Sequence, residues 1–96
     1  MTGQLSWTRD GETLALRGEL DQDILVPLWE ARAQATDGVS TIDLHAVTRV
    51  DTAGLALLVH FVALARRQGG DAKLTGKSEN LQTLVRLYNL PVDMIP

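Results

Sequence analysis

An α/β fold of order ββαβαβα, with a mixed sheet opened by a β-hairpin and helices mainly on one face, is what this sequence predicts. Three features point to it. Two runs of period-two alternation flank an Asp10-Gly11 turn, segments of helical and strand period then follow each other in turn, and glycines or capping residues punctuate the boundaries. Strands separated by helices of such length require parallel crossovers, and the hairpin adds an antiparallel edge. The 96 residues read as a single domain, 1–96, with one core and no repeat, linker or low-complexity tract.

In order along the chain, Leu5 and Trp7 alternate with Ser6 and Thr8, and Leu14 and Leu16 alternate with Thr13, Ala15 and Arg17, which makes the hairpin. The period changes from Gly18 to Asp23. Asp21 or Asp23 can cap a first helix that carries Pro27 in its first turn and repeats Ile24, Leu28, Ala31 and Ala35, ending at Asp37-Gly38. From Thr41, a strand alternates Ile42, Leu44 and Ala46 with Asp43 and His45. A second helix runs from about Thr52 to Gln68 and closes at Gly69-Gly70. "DAKLTGK" reads as a short strand. Ser78 caps a third helix with a buried stripe of Leu81, Leu84, Val85 and Tyr88, and "LPVDMIP" stops it.

Composition narrows the function. At 45% hydrophobic and 4% aromatic residues, the core is built from Leu, Val, Ile and Ala. A net charge of −3, with Lys and Arg scattered, offers no basic face and argues against nucleic acid. Zero cysteines exclude disulfides, thiolate catalysis and Cys-type zinc sites, in keeping with a reducing cytosol. "MTGQLSWTRDGE" predicts no secretory signal. The longest nearly apolar run, Leu55 to Ala65, is roughly half of the ~20 residues that a membrane-spanning helix needs, so no direct membrane insertion is expected.

Enzyme readings find little to stand on. "DTAG" superficially matches the Asp-Thr-Gly of aspartic proteases, but Ala53 interrupts it and the local pattern is helical, not all-β. No Gly-rich loop ends in Gly-Lys-Ser/Thr to cradle a triphosphate. His45 lies on a strand, and His60 has no acidic or histidine partner three or four residues away on its helix, so no metal or other cofactor is expected. A small hydrolase would have to be assembled from Asp51, His45 and His60. The shortness of the chain favours a binding module.

The junction "VDTAGLALLVHF" carries the functional signal. Asp51 suits a helix cap, where its carboxylate accepts the first free N–H groups at the positive end of the helix dipole. At ~100° per residue, Leu55, Leu58, Val59 and Val62 form one packing arc, while Leu57 and Leu64 fall roughly opposite with Ala53 and His60 beside them. This second stripe is either covered by a neighbouring helix or left for another protein. Asp51, Thr52, Ala53, Leu57, His60 and Leu64 are therefore the candidate partner-binding residues on this helix. Trp29, off the Ile24–Leu28 stripe, is either a partner anchor or a flanking core residue.

The element order with "VDTAGLALL" at a strand-to-helix junction resembles the STAS domain, the family of anti-sigma factor antagonists and sulfate-transporter tails. Its hallmark is Asp-Ser/Thr-x-Gly before an apolar helix, matched here by Asp51, Thr52 and Gly54. "LALRGELDQDILVPLWEAR", "RVDTAGLALL" and "RLYNLP" further resemble the STAS subunit of the Gram-negative intermembrane phospholipid transport (Mla) system. The resemblance implies a non-enzymatic accessory subunit that binds the ATPase subunit (MlaF-like) of an ABC transporter within a permease and substrate-binding protein complex. It would support that complex's assembly and activity in maintaining outer-membrane lipid asymmetry, and would be cytoplasmic, peripheral on the inner membrane through its partner. The alternative it implies is a phospho-switched anti-sigma factor antagonist that binds a serine kinase. Thr52 falls where those antagonists carry a phosphorylated hydroxyl, with threonine in place of the common serine, so phosphorylation of Thr52 is possible without being implied.

Overall fold

The hairpin forms where the alternation predicts it. In the computed structural model, which describes residues 5–22, 25–69 and 72–90, β1 (Leu5–Asp10) pairs antiparallel with β2 (Thr13–Leu20) around a turn in which Gly11 takes φ +61°. Such a backbone suits glycine. β2 then pairs in parallel with β3 (Thr41–Val50), and β3 with β4 (Lys73–Thr75), in the sheet order β1-β2-β3-β4.

β3 departs from simple alternation. Its register against β2 shifts twice: Leu44 and His45 oppose the single Leu16, and Thr48 is inserted between the pairs Gly18↔Val47 and Glu19↔Arg49. Each extra residue resets the two-residue period, so the buried positions run Ile42, Leu44, Val47 and Val50. Ala46, expected to face inward, is exposed for this reason. β2 continues through Gly18, whose φ of +102° sits at the bulge and whose carbonyl accepts the Thr48 hydroxyl, 3.2 Å. The expected change of period at Gly18 is thus a distortion within a strand that ends at Leu20.

The single helix expected after β2 divides into α1 (Val26–Glu30) and α2 (Arg32–Thr36), because Ala31 takes φ −87° and ψ 6° between them. Pro27 occupies the first turn as predicted. The start is Leu25, without a side-chain cap, in place of Asp21; Asp23 and Ile24 lie outside the described residues. Leu25, Leu28, Ala35 and Thr36 are buried, and the Thr36 hydroxyl donates to the Arg32 carbonyl, 2.8 Å.

α3 (Thr52–Arg67) is followed by Gln68 and by Gly69 at φ +89°; Gly70 lies outside the described residues. α4 (Glu79–Leu87) begins at Ser78, whose Oγ accepts the Leu81 N–H at 3.1 Å, as predicted. Only Leu81 of its expected stripe is fully buried, Leu84 and Val85 are half-buried, and Tyr88 is exposed. Asn80, in the first turn, reaches back to the sheet, and its Oδ1 accepts the Val50 N–H, 2.8 Å. One cluster of buried side chains, centred on Leu14, Leu16, Leu28, Ile42, Leu58, Phe61 and Val62, joins the helices to one face of the sheet. Pro91 to Pro96 lie outside the described residues.

Candidate functional site

The site grows from the turn between β3 and α3. Asp51 caps α3: one carboxylate oxygen accepts the Gly54 N–H at 2.8 Å and the other accepts the Gln22 N–H at 3.2 Å, tying the helix start to the loop after β2. The Asp51 N–H donates in turn to the Leu20 carbonyl, 3.1 Å. Both carboxylate oxygens are thus engaged within the chain. This assigns Asp51, named above as a partner contact, to holding the site together. Gly54 is required by packing, since a Cβ there would lie 2.3 Å from the Leu20 carbonyl oxygen. The Asp-Thr-x-Gly spacing therefore has a local cause: a cap at its first position and a close crossing of β2 at its last.

Thr52, between these two anchors, is exposed, and its Oγ1 lies 3.4 Å from the hydroxyl of Tyr88 at the end of α4. Beyond it the outer side of α3 presents small and apolar residues: Ala53 and Val59 are half-buried, and Ala56, His60 and Ala63 are exposed. Two hollows flank this strip. The one toward α1, about 430 Å³, is bounded by Gln22, Leu25, Val26, Trp29, Ala53 and Leu57 together with Ala56 and His60. The one toward α4, about 260 Å³, is bounded by Thr52, Leu55, Ala56, Val59, Tyr88 and Leu90. Ala56 borders both.

Trp29 stands at the surface, 38% exposed, with its ring 4.7 Å from that of His60 and the Arg32 guanidinium 4.4 Å from its ring centroid. Its ring is thus at the surface and not a member of the buried core. Leu57 requires a correction. At 4% exposure it belongs to the core and forms the floor of the larger hollow, because the neighbouring helices cover that part of the stripe. Leu64 is half-buried and lines neither hollow. The strip that the structure leaves open is thus centred on Thr52, Ala56 and His60, not on Leu57 and Leu64. Among the described residues, Val26 (55% exposed), Leu87 (71%) and Tyr88 (50%) are exposed large apolar residues that the sequence pattern did not single out as surface positions. For Tyr88 the signal was present in "YNLP", where Asn before Leu-Pro marks a helix end.

The elements of a hydrolase do not converge. His45 contacts Asp43, with Nδ1 2.6 Å from its carboxylate, His60 contacts Trp29, and Asp51 accepts the two N–H groups named above. Among the described residues no three His, Cys, Asp or Glu side chains gather in a metal-binding group, and no helix is long and apolar enough to cross a membrane.

Comparison with known proteins matches this architecture. The solved structure of the anti-sigma factor antagonist SpoIIAA in its unphosphorylated form superposes with a TM-score of 0.66 at 21% identity, covering 93% of this chain and 82% of that one, which shows the fold. The intermembrane phospholipid transport system binding protein MlaB of Escherichia coli is 54% identical over 96 residues, 100% of this chain and 99% of that protein. The protein of the same name from Haemophilus influenzae is 30% identical over 90% of this chain and 91% of its own length. The family model described as "Mlab, STAS domain" covers residues 4–96. By the family model over residues 4–96 and the full-length identity to these relatives, the chain belongs to the MlaB group of STAS domains.

Proposed function

We propose that this chain is a non-enzymatic accessory subunit of an ABC phospholipid transporter, cytoplasmic and held at the inner membrane by docking on the transporter's ATPase subunit. Its role in this reading is to support assembly and activity of the complex, with consequences for outer-membrane lipid asymmetry. The observation that carries the proposal is the open apolar strip of α3 around Thr52 and Ala56, bordered by hollows and exposed aromatic rings on both sides. An exposed apolar surface of this kind marks a protein–protein contact. The 54% identity to a protein named as an intermembrane phospholipid transport system binding protein supports a partner within such a system.

Affinity capture of the tagged chain from gently solubilised membranes of its host, read by mass spectrometry, tests the proposal. The expected result is an ABC ATPase together with permease and substrate-binding subunits. A second reading, a phospho-switched antagonist of a serine kinase, draws on the exposure of Thr52 at the first position of α3 and on the shared fold. It expects a small serine kinase in the capture, no transport subunits, and phosphothreonine in the intact mass of the native chain.

A further inference from the structure

Another hollow, about 230 Å³, differs in chemistry from the two beside α3: it is bounded by Lys77, Gln82, Val85 and Arg86. Gln82, Val85 and Arg86 come from one side of α4, as a spacing of three and four residues requires, and Lys77 comes from the loop between β4 and α4. That loop is held at several points. Gly76 takes φ +73° where a Cβ would lie 2.7 Å from the His45 backbone nitrogen, so the chain presses on β3 just before Lys77. Beyond Lys77, Ser78 caps α4, and the Gln82 side-chain amide donates to the Lys77 carbonyl at 3.3 Å. The charge here runs against that of the whole protein. Between Lys73 and Leu90 the chain carries three cations, Lys73, Lys77 and Arg86, against the single carboxylate of Glu79, although its net charge is −3. Glu79 does not border the hollow, and among the described residues the Arg86 guanidinium has no ion-pair partner.

We propose that this hollow is a binding site for a phosphate ester, held between Arg86 and Lys77. The planar guanidinium fork meets two phosphate oxygens at once, and the ammonium supplies a compact charge for a third. Lys77 has three N–H donors, so it can hold the anion together with another group. A phosphate monoester carries nearly two negative charges at neutral pH, which one guanidinium and one ammonium offset; a single carboxylate would leave one cation unmatched. Half-buried Val85 gives the hollow an apolar wall, which suits the carbon side of an ester better than a bare ion. The inference is independent of the docking reading, because neither Thr52 nor the outer side of α3 takes part in it.

The test is a titration of the purified chain with glycerol 3-phosphate, followed by the amide NMR signals of Lys77, Gln82 and Arg86, and a parallel sedimentation with phosphatidylglycerol or phosphatidylcholine vesicles. Saturable binding with a dissociation constant of about 1 mM or tighter is expected. Arg86→Gln and Lys77→Gln should each weaken it roughly tenfold or more while melting near the wild type, and Arg86→Lys should fall between, since it keeps the charge and loses the fork. Arg17→Gln, which removes an exposed cation of β2, should bind as the wild type does. Binding of glycerol 3-phosphate identifies a soluble ester as the ligand. Binding only to phosphatidylglycerol vesicles, lost in Arg86→Gln and kept in Arg17→Gln, identifies a lipid headgroup. Absence of both, an equal loss in Arg17→Gln, or the same response to sodium acetate at matched ionic strength overturns the proposal.

Discussion

The two sides of α3 are both apolar, yet only one is explained by folding. Gly54, Leu55, Leu58, Phe61, Val62 and Ala65 pack inward, with Leu58, Phe61 and Ala65 fully removed from solvent. Ala56, His60 and Ala63 face outward, where Lys or Glu would serve the helix equally well and make a more soluble surface. The inner side is complete in the isolated chain. The outer side is left open in the isolated chain, with hollows on both flanks. The four-residue motif at its start repeats the contrast: Asp51 and Gly54 turn inward to build the junction, while Thr52 turns outward.

The sharpest way to break this division is Leu57→Asp, which tests whether Leu57 belongs inside. Burying a carboxyl here should cost several kcal/mol even after it neutralises by protonation, a large part of the about 5–15 kcal/mol that holds a typical domain together, so the variant should lose most or all of its cooperative melting transition by circular dichroism. A folded Leu57→Asp variant that has lost its partner would return Leu57 to the outer surface. Gly54→Ala comes next. Its added methyl meets backbone at 2.3 Å, so the loss should exceed the about 1–3 kcal/mol usual for overpacking. Denaturant titration measures it, and an unchanged midpoint would show that the crossing of β2 and α3 relaxes freely.

Asp51→Ala should cost about 0.5–2 kcal/mol, the range for a lost helix cap. Because the same carboxylate also holds the Gln22 N–H, the upper part of that range is expected. If melting stays put while partner affinity collapses, Asp51 belongs to the outer side after all. Thr52 variants should do the reverse. Thr52→Ala and Thr52→Glu are expected to change stability within about 0.5 kcal/mol, as exposed substitutions do. Binding to the ATPase subunit should weaken moderately in Thr52→Ala and further in Thr52→Glu, where an unpaired charge is pressed into a contact made for a neutral group. Full binding by Thr52→Ala alone, with loss in Thr52→Glu, would favour the phospho-switch instead.

The smallest effect belongs to the sheet. Asp43 is held below the usual carboxylate range, first by the backbone N–H of His45 at 2.9 Å and then by the His45 ring. A lowered value in the folded chain means that the unfolded chain binds the proton more tightly. The stabilisation is therefore present above the ordinary carboxylate pKa of about 4 and is lost as pH falls through the folded value. Melting temperatures of wild type and Asp43→Asn should differ slightly at neutral pH and converge on acidification. A constant gap would show that Asp43 contributes nothing through its charge.

Elements governed by near neighbours along the chain are legible in the amino-acid sequence by itself. The Asp10-Gly11 turn, the Ser78 cap, the Asp51 cap and the span of α3 depend on residues a few positions apart, and local backbone chemistry decides them. The element order and the Asp51-Thr52-Gly54 junction follow from the same short-range signals. Tertiary structure alone decided the rest, because it turned on distances that close only between segments far apart in the chain. The bulges of β3 arise from its register with β2 and place Val47 inside where alternation pointed to Ala46. The covering of Leu57 and the exposure of Ala56 depend on how α1 and α2 approach α3, and a helical wheel contains no information about which side a neighbour will occupy. The meeting of Thr52 with Tyr88 requires the stop at Asn89 and the packing of α4 at once, so a residue that periodicity assigned to a buried stripe became part of the open surface.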